Sequence, residues 1–253
     1  MLYFTIPLKS KAVSNDWQRV TECFRRTIDS VFGQTNDEFR VIVAAHEVPE
    51  LAVAGDPRLE IIEVEFAPPS TYDEQMLDKG RKTHLTGARV AELGGGHVMK
   101  VDADDLVSRR LAQFVSEHPD DHGWVFEQGY EYVYDTGRLR RCPRFHRLCG
   151  TSSIVRYSPE ELPSGPGDMD DPAAPERYHL RSSHATIGDL RAGVGKPLAA
   201  LPFVGALYVV GTSENHSIAS GNIGLKRRVM RRMTSSVELT PDLRKEFSLP
   251  AGG

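Results

Sequence analysis

Hydrophobic positions in the first half of the chain alternate between two periods. Residues 3–8 (YFTIPL) form a short apolar run that Pro7 closes, and a strand is expected there. Trp17, Val20, Phe24, Ile28 and Val31 then recur at spacings of three and four, which puts them on one face of a helix. Asn15 or Asp16 can start that helix and Gly33 can end it. Residues 39–45 (FRVIVAA) and 58–66 (RLEIIEVEF) read as further strands, and 72–93 as a helix ended by Gly94, Gly95 and Gly96. Residues 97–101 (HVMKV) read as a strand running into Asp102, and 106–117 as another helix. Strands alternating with helices imply parallel pairing in a covered sheet. Ligands bind beyond the carboxyl ends of such strands, a rule that selects residues 7–9, 45–47 and 102–105 before any chemistry is considered.

The second half is patterned differently. Residues 123–135 (GWVFEQGYEYVYD) are aromatic and β-prone, as expected of a hairpin. Residues 158–176 hold five prolines and two glycines and read as a loop. A short helix over 183–193 and a late apolar strand over 203–210 follow, and 226–233 (KRRVMRRM) is strongly basic.

Composition narrows the class. The chain has 253 residues and a net charge of −4. From Lys226 onward the balance is +4, so the body carries −8. An acidic body without a recognition motif argues against a nucleic-acid partner. The longest apolar stretch, residues 198–211, contains a proline and two glycines and is too short to cross a bilayer. The start, MLYFTIPLKSK, lacks the features of a signal peptide, and three cysteines do not make a disulfide framework. A soluble cytoplasmic protein is expected.

The most informative string is MKVDADD, residues 99–105. Three carboxylates in four positions repel one another. A divalent cation would offset that, and hard oxygen ligands at a strand end suit Mg²⁺ or Mn²⁺, which also take substrate phosphates. The alternative is an acidic helix N-terminus, with Asp104 and Asp105 capping a helix from Leu106. An EF-hand is excluded, because Val107 and Gln113 stand where its glycine and glutamate belong. A haloacid-dehalogenase-like phosphatase would want a nucleophilic Asp102 and a second acidic motif, which residues 167–171 (GDMDD) imitate without a preceding strand. No phosphate-binding glycine loop is present: Pro197 follows Gly195-Lys196.

Four pieces in order, FTIPLKS, then Ser30-x-x-x-Gln34-Thr35, then FRVIVAA, then GGGHVMKVDADD, resemble a family 2 glycosyltransferase with the GT-A fold. The likeness covers roughly residues 3–217. It implies a single α/β domain with a Rossmann-like mixed sheet flanked by helices. Residues 1–225 would form that domain, with a nucleotide-sugar-binding half over 1–105 and an acceptor-binding half over 106–225. Residues 226–253 would be a basic C-terminal helix and tail. The activity implied is metal-dependent hexosyl transfer from a UDP- or GDP-linked sugar, with inversion, to a glycan or lipid-linked acceptor of the kind used in polysaccharide biosynthesis.

The resemblance also implies roles. Asp102 and Asp104 would hold the metal on the diphosphate, with His216 as a further ligand; an imidazole ligand favours Mn²⁺ over Mg²⁺. Pro7, Leu8 and Lys9 would line the base pocket, beside Ala103. Asp78, Lys79, Arg81 and Lys82 stand where the family places donor contacts, and the cations there would neutralise phosphate oxygens. The second strand ends in Ala45, His46 and Glu47 where the family has aspartates, so His46 would take part of the nucleoside contact. His184 stands at the family's catalytic aspartate, and a neutral histidine is a competent base. Asp189, Asp170 and Asp171 are its rivals, although Asp189 could simply pair with Arg191.

Remaining features carry other expectations. Cys142, His146 and Cys149 lack a fourth zinc ligand at suitable spacing. Trp124, Tyr130, Tyr132 and Tyr134 are expected in hairpin packing rather than stacked on an acceptor sugar. The run 226–233 has three readings: a solvated helix end, a subunit contact, or, through its thin apolar face, peripheral contact at the inner face of a membrane. The readings competing with a transferase are the phosphatase and a non-catalytic sugar-nucleotide- or glycan-binding protein.

Overall fold

The first apolar run forms β1 (Leu2–Pro7), and its two faces explain the layers around it. Side chains alternate across a strand, so Leu2, Phe4 and Ile6 pack with Val20, Phe24, Ile28 and Val31 of α1 (Trp17–Phe32) on one face. Tyr3 packs on the other face, in a cluster with Ile42 and Val90. Val90 belongs to α2 (Tyr72–Glu92). The Asp16 side chain caps α1 by accepting from the Arg19 amide. Thr71 and Glu74 close a reciprocal capping box at the start of α2. The computed structural model describes residues 1–214 and 236–250.

Around β1 stand β2 (Phe39–Ala45), β3 (Leu59–Glu63) and β4 (Gly96–Lys100): β1 pairs in parallel with β2 and β4, and β2 with β3. Next come β9 (Ser153–Tyr157), antiparallel to β4, then β6 (Gly123–Val125) and β10 (Ala199–Ala200). The order in this seven-stranded mixed sheet is β10-β6-β9-β4-β1-β2-β3. A second sheet runs β12-β8-β7-β11-β5. It contains β5 (Leu106–Val107), β7 (Gln128–Val133), β8 (Arg138–Pro143), β11 (Ala206–Val210) and β12 (Ser236–Val237). The α/β class and the mixed sheet flanked by helices agree with the sequence expectation.

Two expectations need correction. Residues 106–117 are not one helix: Leu106 and Val107 pair with β11, and α3 begins only at Leu111 (Leu111–Glu117). The reason is that Asp105 turns inward instead of capping a helix. Its carboxylate accepts from the Thr151 hydroxyl at 2.6 Å, the Val209 amide at 3.0 Å and the Cys149 thiol at 3.1 Å. Nor do residues 123–135 form one hairpin. β6 joins the large sheet, while β7 pairs with β8 in the small one. The joint between them is Phe126, fully buried, with its amide on the Ser152 carbonyl and its own carbonyl accepting from the His146 amide.

The 158–176 segment contains a 3-10 turn (Pro159–Glu161) and the short helix α4 (Ala174–Arg177), and α5 (Ile187–Gly193) follows. At the C-terminus, α6 (Pro241–Glu246) returns to the body, where Ser108 and Arg110 bond the Glu246 carboxylate and Phe247 is buried. The basic run 226–233 and His216 lie outside the described residues. Among the described residues, no helix is long and apolar enough to cross a membrane.

Candidate active site

A cavity of about 320 Å³ opens beyond the carboxyl ends of β1 and β4, where the parallel part of the sheet is expected to place a ligand. Its wall takes Pro7, Leu8 and Lys9 from the end of β1, Asp78 and Lys79 from α2, and Asp102, Ala103 and Asp104 from the end of β4. His184 comes from the segment before α5, and Thr212 and Glu214 from the turn after β11. Most residues that the sequence singles out therefore share one wall.

The carboxylates divide by direction. Asp105 is fully buried and belongs to the scaffold, whereas Asp102 and Asp104 line the cavity. The Thr151 hydroxyl sets their geometry: it accepts from the Asp102 amide at 2.9 Å and donates to Asp105. Gly150 leaves room for Asp102, because a Cβ there would meet Oδ2 at 2.6 Å. Burial pushes the Asp104 carboxyl up to about 7, and the neighbouring Asp102 charge adds to the shift. Burial works against ionisation of Asp102 too, but the Lys79 ammonium, 2.5 Å from Oδ1, holds its pKa below the usual carboxylate value. Lys79 itself is raised, its burial being outweighed by Asp102, Asp104 and Asp105.

His184 sits beside Asp102. Its Nδ1 lies 2.6 Å from the His146 carbonyl. A carbonyl only accepts, so Nδ1 carries the proton and Nε2 keeps the lone pair. Burial lowers the pKa and keeps the ring neutral. Lys100 donates to the Ser182 carbonyl at 3.0 Å and ties β4 to the segment that delivers His184.

Other predicted residues lie behind the wall or away from it. His46 and Lys82 support the cavity rather than line it. Lys82 is fully buried and donates to the Leu8 carbonyl at 2.7 Å and to Asp78 at 2.8 Å. His46 bonds the Phe66 carbonyl through Nε2 at 3.0 Å and turns Nδ1 toward Asp78 at 3.7 Å. Asp189 is exposed on α5 and is not in the wall; Arg191, its expected partner, pairs with Glu161 at 2.7 Å instead. Asp170 pairs with Arg81, and Asp168 and Asp171 with Arg177. The 168–171 carboxylates are thus held by arginines. Trp124, Tyr130 and Tyr132 are buried, with Trp124 stacked on His97.

Several wall residues carry no strong signal in sequence. Glu214 pairs with Lys9 at 2.6 Å and accepts from the Asp16 amide, which brings the turn after β11 onto the start of α1. Cys23 lines the cavity, but burial raises its thiol to about 12, so it stays protonated and inert. Among the described residues no group of three or more His, Cys, Asp or Glu side chains is arranged around a metal position. Two carboxylates fit an ion that completes its shell with substrate oxygens. Cys142, His146 and Cys149 form no such group, since the Cys149 thiol is engaged with Asp105.

No family model matches this chain, and no curated protein matches it. Solved structures share parts of its shape. S. aureus TarS aligns with a TM-score of 0.48 and 12% identity over 83% of this chain and 36% of its own, so the chain spans about a third of that protein. A putative glucose-1-phosphate thymidylyltransferase from Bacillus anthracis, in complex with a sucrose, aligns with a TM-score of 0.40 and 10% identity over 81% of this chain and 88% of its own. HddC from Yersinia pseudotuberculosis aligns with a TM-score of 0.34 and 12% identity over 83% of this chain and 88% of its own.

Proposed function

We propose that this chain is a glycosyltransferase that moves a hexosyl group from a UDP- or GDP-linked donor to a hydroxyl of a glycan or lipid-linked acceptor, with inversion. The observation that carries the proposal is one cavity holding Asp102, Asp104, Lys79 and His184 together at the end of β4. In this reading the nucleoside lies along Pro7, Leu8 and Lys9, and the diphosphate lies toward Asp102 and Asp104. Those two carboxylates would hold Mn²⁺ or Mg²⁺. Such an ion, when bound, stabilises negative charge on a leaving diphosphate.

The chain's own residues supply the rest. Lys79 already balances Asp102, and the same ammonium can take a phosphate oxygen as the donor enters. His184 accepts the acceptor's hydroxyl proton on Nε2 as that oxygen attacks the sugar carbon and the bond to the diphosphate breaks. The His146 carbonyl fixes the tautomer this step needs and stabilises the imidazolium that forms. Lys82 and His46 act from behind the wall by positioning Leu8 and Asp78.

A thermal-shift panel of UDP, GDP and their sugars, each with and without Mn²⁺, tests the proposal, because ligands that bind only the folded state raise the midpoint. Metal-dependent stabilisation by nucleoside diphosphates is expected. Stabilisation by phosphate analogues alone would overturn it in favour of a phosphatase.

A further inference from the structure

A second cavity, of about 450 Å³, adjoins the small sheet at the end of β8. Arg141, Arg144 and His146 line it together with Gln128 and Glu127. It lies within the stretch 138–147 (RLRRCPRFHR), which has five arginines and no acid. Arg140 pairs with Glu131 at 3.4 Å. Arg141, Arg144 and Arg147 are exposed and, among the described residues, have no carboxylate partner. The Arg141 guanidinium lies over the Tyr130 ring at 5.9 Å. Arg144 holds the left-handed backbone conformation at φ 55°, uncommon for a residue with a side chain, and its carbonyl accepts from the Arg147 amide.

One residue joins this cavity to the first. His146 lines the second cavity, and its backbone carbonyl orients His184 in the first. Leu148 and Gly150, just beyond, line the first cavity. The two cavities thus meet along residues 146–150.

We infer that this second cavity binds a phosphodiester group carried by the acceptor. The inference rests on the glycosyl-transfer reading of the first cavity and names the acceptor's chemistry. Guanidinium forks pair with oxyanions through two parallel N–H···O bonds, and two of them in one concavity form a site for such a group. The charge count selects the phosphodiester. Two arginines and Glu127 leave the wall with one net positive charge, which matches a singly charged group better than a phosphate monoester. In that reading the donor's diphosphate has its own cation, Lys79, in the first cavity.

The test measures the anisotropy of a fluorescein-labelled poly(glycerol phosphate) oligomer, with a dextran oligosaccharide as the neutral control. Salt-sensitive binding of the oligomer, and none of dextran, is expected for the wild type. Arg141→Gln/Arg144→Gln should weaken it at least tenfold, and Glu127→Gln should strengthen it. UDP with Mn²⁺ should not displace the oligomer, and the affinity for UDP with Mn²⁺ should be the same in all three proteins. Equal oligomer affinity in wild type and double variant overturns the inference. So does displacement by UDP with Mn²⁺, and so does binding to phosphatidylglycerol vesicles without binding to the free oligomer. Nucleotide binding without oligomer binding removes this inference alone, whereas oligomer binding without nucleotide binding removes the transferase reading and leaves the phosphodiester site.

Discussion

The Lys79 ammonium lies 2.5 Å from Oδ1 of Asp102, across the cavity wall from α2 to the end of β4. It occupies a carboxylate that a cation would otherwise bind. In the proposed reading, lysine and metal would therefore compete for Asp102 until a diphosphate arrived to share them. Lys79→Met should bind Mn²⁺ alone more tightly than the wild type, because the competing charge is gone. The same variant should bind UDP in the presence of Mn²⁺ about tenfold more weakly or worse, through loss of a charge-assisted phosphate contact. Calorimetric titration of each ligand checks both signs.

Gly150→Ala separates site from scaffold. The added Cβ would meet the end of the Asp102 side chain, which can rotate away at small cost. Stability should change by less than about 1 kcal/mol, while Mn²⁺-dependent nucleotide binding is lost. Thermal melts with and without nucleotide read both effects.

The opposite behaviour is expected of Thr151→Val. This change strands the Asp102 amide and removes the hydroxyl donor to Asp105 Oδ2, which keeps only the weaker Cys149 thiol. Stranding one amide and weakening one carboxylate contact should cost about 2–3 kcal/mol and lower Tm by roughly 5–10 °C. Differential scanning calorimetry provides the number.

His184→Ala should leave nucleotide affinity intact and reduce transfer by ~10²-fold or more. Burial lowers the His184 pKa below the ordinary 6.5. The transfer rate should therefore rise with pH below that value and be level at neutrality. A radiolabelled-sugar transfer assay across pH 5–8 tests both points, and undiminished turnover in the variant would remove His184 from the mechanism.

His97 should shape the acid limb of stability. It is buried against Trp124, with Nε2 3.0 Å from the Asp121 carbonyl, and burial lowers its pKa to about 4. Between its unfolded value of 6.5 and about 4, the unfolded chain binds a proton that the folded chain refuses. This group's contribution is thus complete above 6.5 and declines as the pH falls through that window, with a slope of up to about 1.4 kcal/mol per pH unit. His97→Gln should flatten the slope of unfolding free energy against pH between 6.5 and 4, measured by urea denaturation.

Much of this architecture is written in local patterns. The face of α1 follows directly from Trp17, Val20, Phe24, Ile28 and Val31, and its ends from Asp16 and Gly33. The positions of Pro7, Lys9 and Asp102 at one wall follow from strands that end on the same side. What local pattern hides is pairing over long distance. Leu106 and Val107 look helical until β11, a hundred residues later, claims them. Asp105 looks like a cap until Thr151 and Val209 arrive to bond it. Gly150 and Thr151 have no signature, since their effect exists only against Asp102. The arginines of 138–147 raise no expectation in the sequence, because their meaning depends on His146 standing between two cavities.

The joint at Phe126 has a mechanical consequence. Only two residues, Phe126 and Glu127, separate β6 of one sheet from β7 of the other, and Phe126 is pinned on both sides. A link of two residues, one of them buried and bonded at both its amide and its carbonyl, has little freedom to hinge. The two sheets therefore turn as one rigid body, and the spacing between the two cavities is fixed when the chain folds. Any closure around a substrate falls to the connecting segments, foremost residues 158–186, whose aspartates Arg81 and Arg177 already fasten down.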